Sequence, residues 1–251
     1  MKCILLLHGF LSDPNDFDLI LENLKQEYDF VHLVTFPGHG MNYGKNQFTS
    51  EETFELLHRT FDGLNKKYDC IDVMGYSMGG ALAIYLSQVR RVNRLILLAP
   101  AYEYINLLLP FDKVNVYMHL IKKFLKARKE HKEEMQQAYQ ERLQFLFEDE
   151  KKGVRVGLKN FLRIEVPKYI LVFRKVIKRV HEYTKAITVP TLLIWGKQDQ
   201  LIPEKSVEEV FTLCNHPQSK KIIYEDVSHL VINGEHSQKV IEEVMQFIRE
   251  K

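Results

Sequence analysis

This 251-residue chain predicts a doubly wound α/β fold with a mostly parallel sheet and a helical insertion. Three observations carry that expectation. Short, continuously apolar runs of strand length alternate with helical patterns, as expected of strands covered on both faces. Each run ends in breakers such as His8-Gly9, Pro37-Gly38 or Pro100. The rhythm lapses once, between residues 101 and 187, and resumes at Thr191.

Ile4 to Leu7 reads as the first strand and stops at His8-Gly9-Phe10. Asp13-Pro14 then gives an N-cap with proline at the first helical position, and Phe17, Ile20, Leu21 and Leu24 follow at helical spacing. A second strand, Phe30 to Phe36, runs into the loop Pro37-Gly38-His39-Gly40. Thr49 to Thr53 opens a helix with Phe54, Leu57, Phe61 and Leu64 on one stripe. Strand Cys70 to Met74, helix Gly80 to Ser87 and strand Arg94 to Ala99 complete a β-α-β-α-β-α-β series suited to right-handed crossovers.

From Ala101 to Ala186 the pattern is helical, with stripes at Val114, Tyr117, Ile121, Phe124 and Leu125, at Met135, Tyr139, Arg142 and Leu146, and at Ile170, Phe173, Ile177 and Val180. Residues 101–187 hold 19 Lys and Arg against 11 Asp and Glu, a balance of +8 against −6 for the remainder. The expected organisation is therefore a core of residues 1–100 and 188–251 with a basic insertion. Strand Thr191 to Gly196, helix Pro203 to Leu213, strand Lys221 to Tyr224 and helix Ser237 to Ile248 close the chain.

A net charge of +2 gives no reason to expect a nucleic-acid partner. Cys3, Cys70 and Cys214 are odd in number and widely spaced, which suggests neither a disulfide framework nor a zinc site and fits a reducing cytoplasm. The apolar start is too short for a signal peptide or a membrane span, so no stable membrane insertion is expected. No cofactor or metal is called for, and the oligomeric state is open.

The chemistry centres on Gly75-Tyr76-Ser77-Met78-Gly79, a G-x-S-x-G pattern between a strand and a helix, with Ser77 as candidate nucleophile. A serine hydroxyl needs an imidazole to take its proton and a carboxylate to hold that imidazole's tautomer. Asp199 follows the strand ending at Gly196 and His229 the strand ending near Tyr224, giving the order Ser, acid, His at strand ends. Asp226 is a rival acid, but it leaves the same strand as His229. His8 and His39 also fall at strand ends and read as loop-shaping groups that bond backbone. Two backbone N–H groups would hold the oxyanion, from Met78 after the nucleophile and from Phe10 after the first strand.

With His8-Gly9-Phe10, Pro37-Gly38-His39-Gly40, Gly75 to Gly80, Gly196-x-x-Asp199-x-x-x-Pro203 and Ser228-His229 in this order, the chain resembles the α/β-hydrolase superfamily. It is most similar to the small bacterial carboxylesterases and monoacylglycerol lipases. The resemblance implies that residues 101–187 form a cap or lid, that two N-terminal antiparallel strands are absent, and that the substrates are short- to medium-chain acyl esters. Tyr102, Tyr104, Leu107, Leu108, Leu109 and Phe111 are candidates to line an acyl pocket, Tyr102 and Leu108 foremost. A lyase of the menaquinone-pathway type shares the same three residues, and a non-catalytic ligand-binding protein is the reading from another class. Epoxide hydrolases and haloalkane dehalogenases resemble this fold but carry aspartate at the nucleophile position.

Overall fold

The structure is a computed structural model that describes residues 1–40, 47–103, 166–234 and 236–250. Its sheet contains β1 (Lys2–Leu7), β2 (Phe30–Val34), β3 (Cys70–Tyr76), β4 (Arg94–Leu98), β5 (Thr191–Gly196) and β6 (Lys220–Tyr224). The order is β2-β1-β3-β4-β5-β6, and every neighbouring pair is parallel. Burial follows position in that order. The inner strands β1, β3, β4 and β5 are almost wholly buried, whereas the edge strands β2 and β6 keep polar positions such as His32, Lys220 and Lys221.

Among the described residues, six α-helices cover the sheet: α1 (Asp18–Glu27), α2 (Ser50–Asn65), α3 (Met78–Val89), α4 (Val166–Tyr183), α5 (Glu204–Leu213) and α6 (Ser237–Arg249). Thr49 caps α2 by accepting the Glu52 N–H at 3.2 Å, and Phe54, Leu57, Phe61 and Leu64 are its buried stripe. Helix α3 is buried from Met78 to Leu86, which its nearly all-apolar sequence allows. It lies against the sheet and against α4, whose Phe173, Val176, Ile177 and Val180 are buried. The third stripe of the insertion is thus helical and core-facing. The first two stripes lie outside the described residues, as do Tyr104, Leu107, Leu108, Leu109 and Phe111. Asp13-Pro14 starts a 3₁₀ turn, Pro14–Phe17, ahead of α1. No described helix is long and apolar enough to cross a membrane.

Both roots of the insertion are pinned at α5. Ser206 Oγ donates to the Pro100 carbonyl at 3.0 Å and accepts the Tyr102 and Glu103 N–H groups at 3.0 Å each. At the return, the Ile187 N–H donates to Leu213 O at 2.7 Å and the Asn215 N–H to Ile187 O at 2.8 Å. The strand order reverses between β1 and β3, so the loops leaving their carboxyl ends diverge and open a crevice. Those loops begin at His8 and Ser77.

Candidate active site

Ser77 is the single residue between β3 and α3, and its backbone sits at φ 54°, ψ −115°. A non-glycine residue at positive φ is strained by roughly 1–3 kcal/mol and persists only where its surroundings dictate it. Here they do. The Ser77 N–H donates to Leu98 O at 2.9 Å, and Ser77 O accepts from the Gly80 and Ala101 N–H groups at 2.9 and 3.0 Å. A Cβ on Gly75 would collide with the Gly79 carbonyl, and one on Gly79 with the Leu7 carbonyl. The glycines of the motif therefore let β1, β3 and α3 approach closely enough to form the turn.

His229 follows β6, and its Nδ1 lies 2.8 Å from Asp199 Oδ2. The Asp199 side chain is completely buried, and its Oδ1 accepts the Leu201 and Ile202 N–H groups at 2.8 and 2.9 Å. Asp199 therefore shapes its own turn and meets the imidazole with its second oxygen. A carboxylate only accepts, which places the imidazole proton on Nδ1 and leaves Nε2 as the basic nitrogen. Asp226, the rival acid, is exposed and pairs with His236 Nε2 at 3.0 Å. Tyr76, adjacent to Ser77, donates its hydroxyl to His229 O at 3.0 Å, and the two rings lie 5.2 Å apart, tilted 30°. The histidine loop is thus fastened to the residue that precedes the serine.

The loop after β1 is held by His8. The Phe36 N–H donates to His8 Nε2 at 3.1 Å, so Nδ1 carries the proton and donates to Gly9 O at 2.8 Å. Burial, with His39 beside it, pushes His8 down to about 3, so it stays neutral. In a trans peptide the carbonyl and the next N–H point in opposite directions. Drawing Gly9 O toward His8 therefore turns the Phe10 N–H away from it. His39 Nδ1 bonds Pro37 O at 2.9 Å, and burial pushes His39 down to about 4. Both histidines hold backbone, as the sequence predicts.

Aromatic rings surround this loop. Phe10 lies 5.0 Å from Phe173 and 6.0 Å from each of Phe48 and His39, and the Tyr169 hydroxyl donates to Gly38 O at 3.1 Å. Phe48, Tyr169, Phe173 and Tyr76 are absent from the sequence-derived site. Tyr76 was in view inside the motif; the others come together only through the packing of α4 on the β2–α2 loop. Tyr102 is buried and stacked on His181 with centroids 4.2 Å apart, and its carbonyl meets His181 Nε2 at 2.7 Å. Leu108 lies outside the described residues. Among the described residues no cluster of three or more His, Cys, Asp or Glu is placed to hold a metal.

A parallel sheet with a strained serine between β3 and α3, and a carboxylate–histidine pair beyond β5 and β6, defines an α/β-hydrolase of the esterase and lipase type. The chain belongs to the serine aminopeptidase S33 family, Hydrolase_4, whose model matches residues 1–236. It is 27% identical over 249 residues to the pimeloyl-[acyl-carrier protein] methyl ester esterase of Wigglesworthia glossinidia brevipalpis, covering 90% of this chain and 86% of the relative. The monoacylglycerol lipase of Paleococcus ferrophilus superposes with a TM-score of 0.67 at 16% identity, over 98% of this chain and 93% of that one. An esterase from Exiguobacterium antarcticum gives 0.65 at 19% identity, over 100% and 92%.

Proposed function

We propose that the protein is a serine carboxylesterase that hydrolyses short- to medium-chain acyl esters, monoacylglycerols among them, through an acyl-enzyme. The observation that carries this reading is the pair of His229 with the buried Asp199 at 2.8 Å, joined through Tyr76 to the strained Ser77. In the proposed sequence Ser77 Oγ attacks the ester carbonyl while His229 Nε2 takes its proton. Asp199 keeps His229 in the Nδ1–H form and stabilises the imidazolium that results. The Phe10 and Met78 N–H groups bind the oxyanion, Met78 from the start of α3 where the helix dipole adds to the effect. His229 then protonates the departing alcohol, and water activated by the same nitrogen releases the acid.

The acyl chain is proposed to run along Phe10, Phe48 and Phe173, with Leu108 as a contact from the insertion. Tyr102 is assigned to bracing His181. The relative's name adds methyl esters, with methanol as the departing alcohol, to the substrates worth testing. The lyase alternative calls for arginines that read a carboxylated substrate. Among the described arginines, Arg90, Arg94 and Arg249 are engaged with Asp62, with backbone carbonyls of residues 247–250 and with Glu27, and Arg179 lies over Phe54.

The test is turnover of p-nitrophenyl esters of rising chain length by wild type and Ser77→Ala. Loss of about 10⁶-fold in kcat with an unchanged melting temperature is expected. A Ser77→Ala protein that keeps most of its activity overturns the reading. Faster turnover of an aminoacyl p-nitroanilide than of any ester would move it to the aminopeptidase activity for which the family is named.

A further inference from the structure

Asp16 closes the 3₁₀ turn after β1, and its N–H returns to Asp13 O at 3.1 Å. The turn aims its side chain back at the loop that precedes it. Oδ2 accepts the Gly9 N–H at 3.0 Å, and Oδ1 accepts the Ser12 hydroxyl at 2.5 Å. Its carbonyl accepts Asn233 Nδ2 at 2.9 Å, from the loop that carries His229. One residue therefore binds both the loop of the proposed Phe10 donor and the loop of the proposed base. A Cβ on Gly9 would lie 3.5 Å from Asp16 Oδ2, 3.5 Å from Ser77 Cβ and 3.4 Å from Tyr76 Cδ1. Gly9 is thus the thin partition between this carboxylate and the candidate nucleophile.

We infer that Asp16 is a positioning residue of the reaction: its carboxylate holds the N–H of the His8–Gly9 peptide and so fixes the Gly9 backbone that turns the Phe10 N–H to the oxyanion, and its charge supports the imidazolium of His229. The inference rests on the esterase reading above. His8 and Asp16 grip Gly9 through the two peptides that flank its Cα, His8 at the Gly9 carbonyl and Asp16 at the Gly9 N–H. Neither holds it alone.

The carboxylate's surroundings explain why its charge matters. Burial pushes Asp16 up to about 6; the Ser12 and Gly9 bonds hold it down, Asp13 raises it, and the nearby His229 lowers it. The charged groups facing it are therefore Asp13 and His229, with Asp199 behind the imidazole. Taking the serine's proton makes His229 a cation, so the attraction to Asp16 is strongest in the transition state. Interactions of that kind raise kcat rather than lower KM.

The experiment measures kcat, KM and the pH profile of kcat/KM on a p-nitrophenyl ester for wild type, Asp16→Asn and Asp16→Ala, with melting curves and fluorophosphonate labelling of each. Asp16→Asn keeps an oxygen for the Gly9 N–H and removes the charge, its NH2 then donating to Ser12 Oγ in place of the bond that Ser12 now donates. Its kcat is expected to fall about 10-fold, and that of Asp16→Ala about 100-fold, with KM within about twofold, since a donor displaced by about 1 Å costs on this scale. Asp16 loses its charge as the pH falls through about 6, so the acid limb of the wild-type profile carries a fall there that the Asp16→Asn profile lacks. Unchanged kcat with an unchanged acid limb in Asp16→Asn overturns the inference, and that variant decides the matter if Asp16→Ala does not fold. A wild type that neither turns over esters nor labels at Ser77 overturns the esterase reading, and this inference with it.

Discussion

The serine turn and the histidine loop meet at Tyr76 but are built by different means. Ser77 is held by main chain: Leu98, Gly80 and Ala101 supply its partners, and Gly75 and Gly79 clear the space it needs. The His229 imidazole is held by a side chain, the Asp199 carboxylate, and its carbonyl is shared between the Tyr76 hydroxyl and the Val231 N–H. A backbone cage tolerates any side chain that fits inside it and fails as a whole when one does not. A side-chain cage loses its parts one at a time, and the loss shows in rate before it shows in stability.

Replacing Asp199 with Asn gives the largest effect among the ways to test that contrast. The amide would favour the wrong imidazole tautomer, so kcat should fall about 10⁴-fold. The melting temperature should move little, because Oδ1 can still accept from Leu201 and Ile202. A collapse of stability equal to the loss of rate would break the comparison. Gly79→Ala is the converse. Its Cβ would meet the Leu7 carbonyl, and overpacking of this kind destabilises by roughly 3 kcal/mol, readable as a fall in the urea midpoint at constant m-value. If Gly79→Ala melted like wild type, the turn would not be the rigid cage described.

Tyr76→Phe should have the smallest effect and sharpens the comparison where its halves touch. It removes one hydrogen bond of 3.0 Å to His229 O and keeps the tilted ring beside the imidazole. A loss of about 1 kcal/mol is expected, divided between stability and kcat, and double-mutant analysis with Asp199→Asn would give the share that passes through His229.

The sheet was legible because β1, β3, β4 and β5 are buried on both faces and write themselves as unbroken apolar runs. Element ends were less so. The sequence pattern starts the helix after the serine at Gly80, but it begins at Met78, since a turn of one residue leaves no loop to read. The positions after the strands gave Asp199 and His229, and Asp226 fell away because its carboxylate turns to His236. Asp16 was invisible for a specific reason. An aspartate beside Asp13-Pro14 looks like an ordinary helix-start acid, and its bond to the Gly9 N–H exists only because the 3₁₀ turn doubles the chain back. Phe48, Tyr169 and Phe173 join Phe10 only when α4 packs down, a contact between distant segments that no local spacing records.

The two ends of the insertion, gripped by Ser206 on one side and by Leu213 and Asn215 on the other, have a consequence for how such a chain diversifies. They behave as the two halves of a socket. A foreign segment grafted between Glu103 and Val166 inherits its anchorage from the host and leaves the serine turn untouched. We expect a chain anchored in this way to tolerate exchange of that segment while the flanking sequence keeps the serine turn.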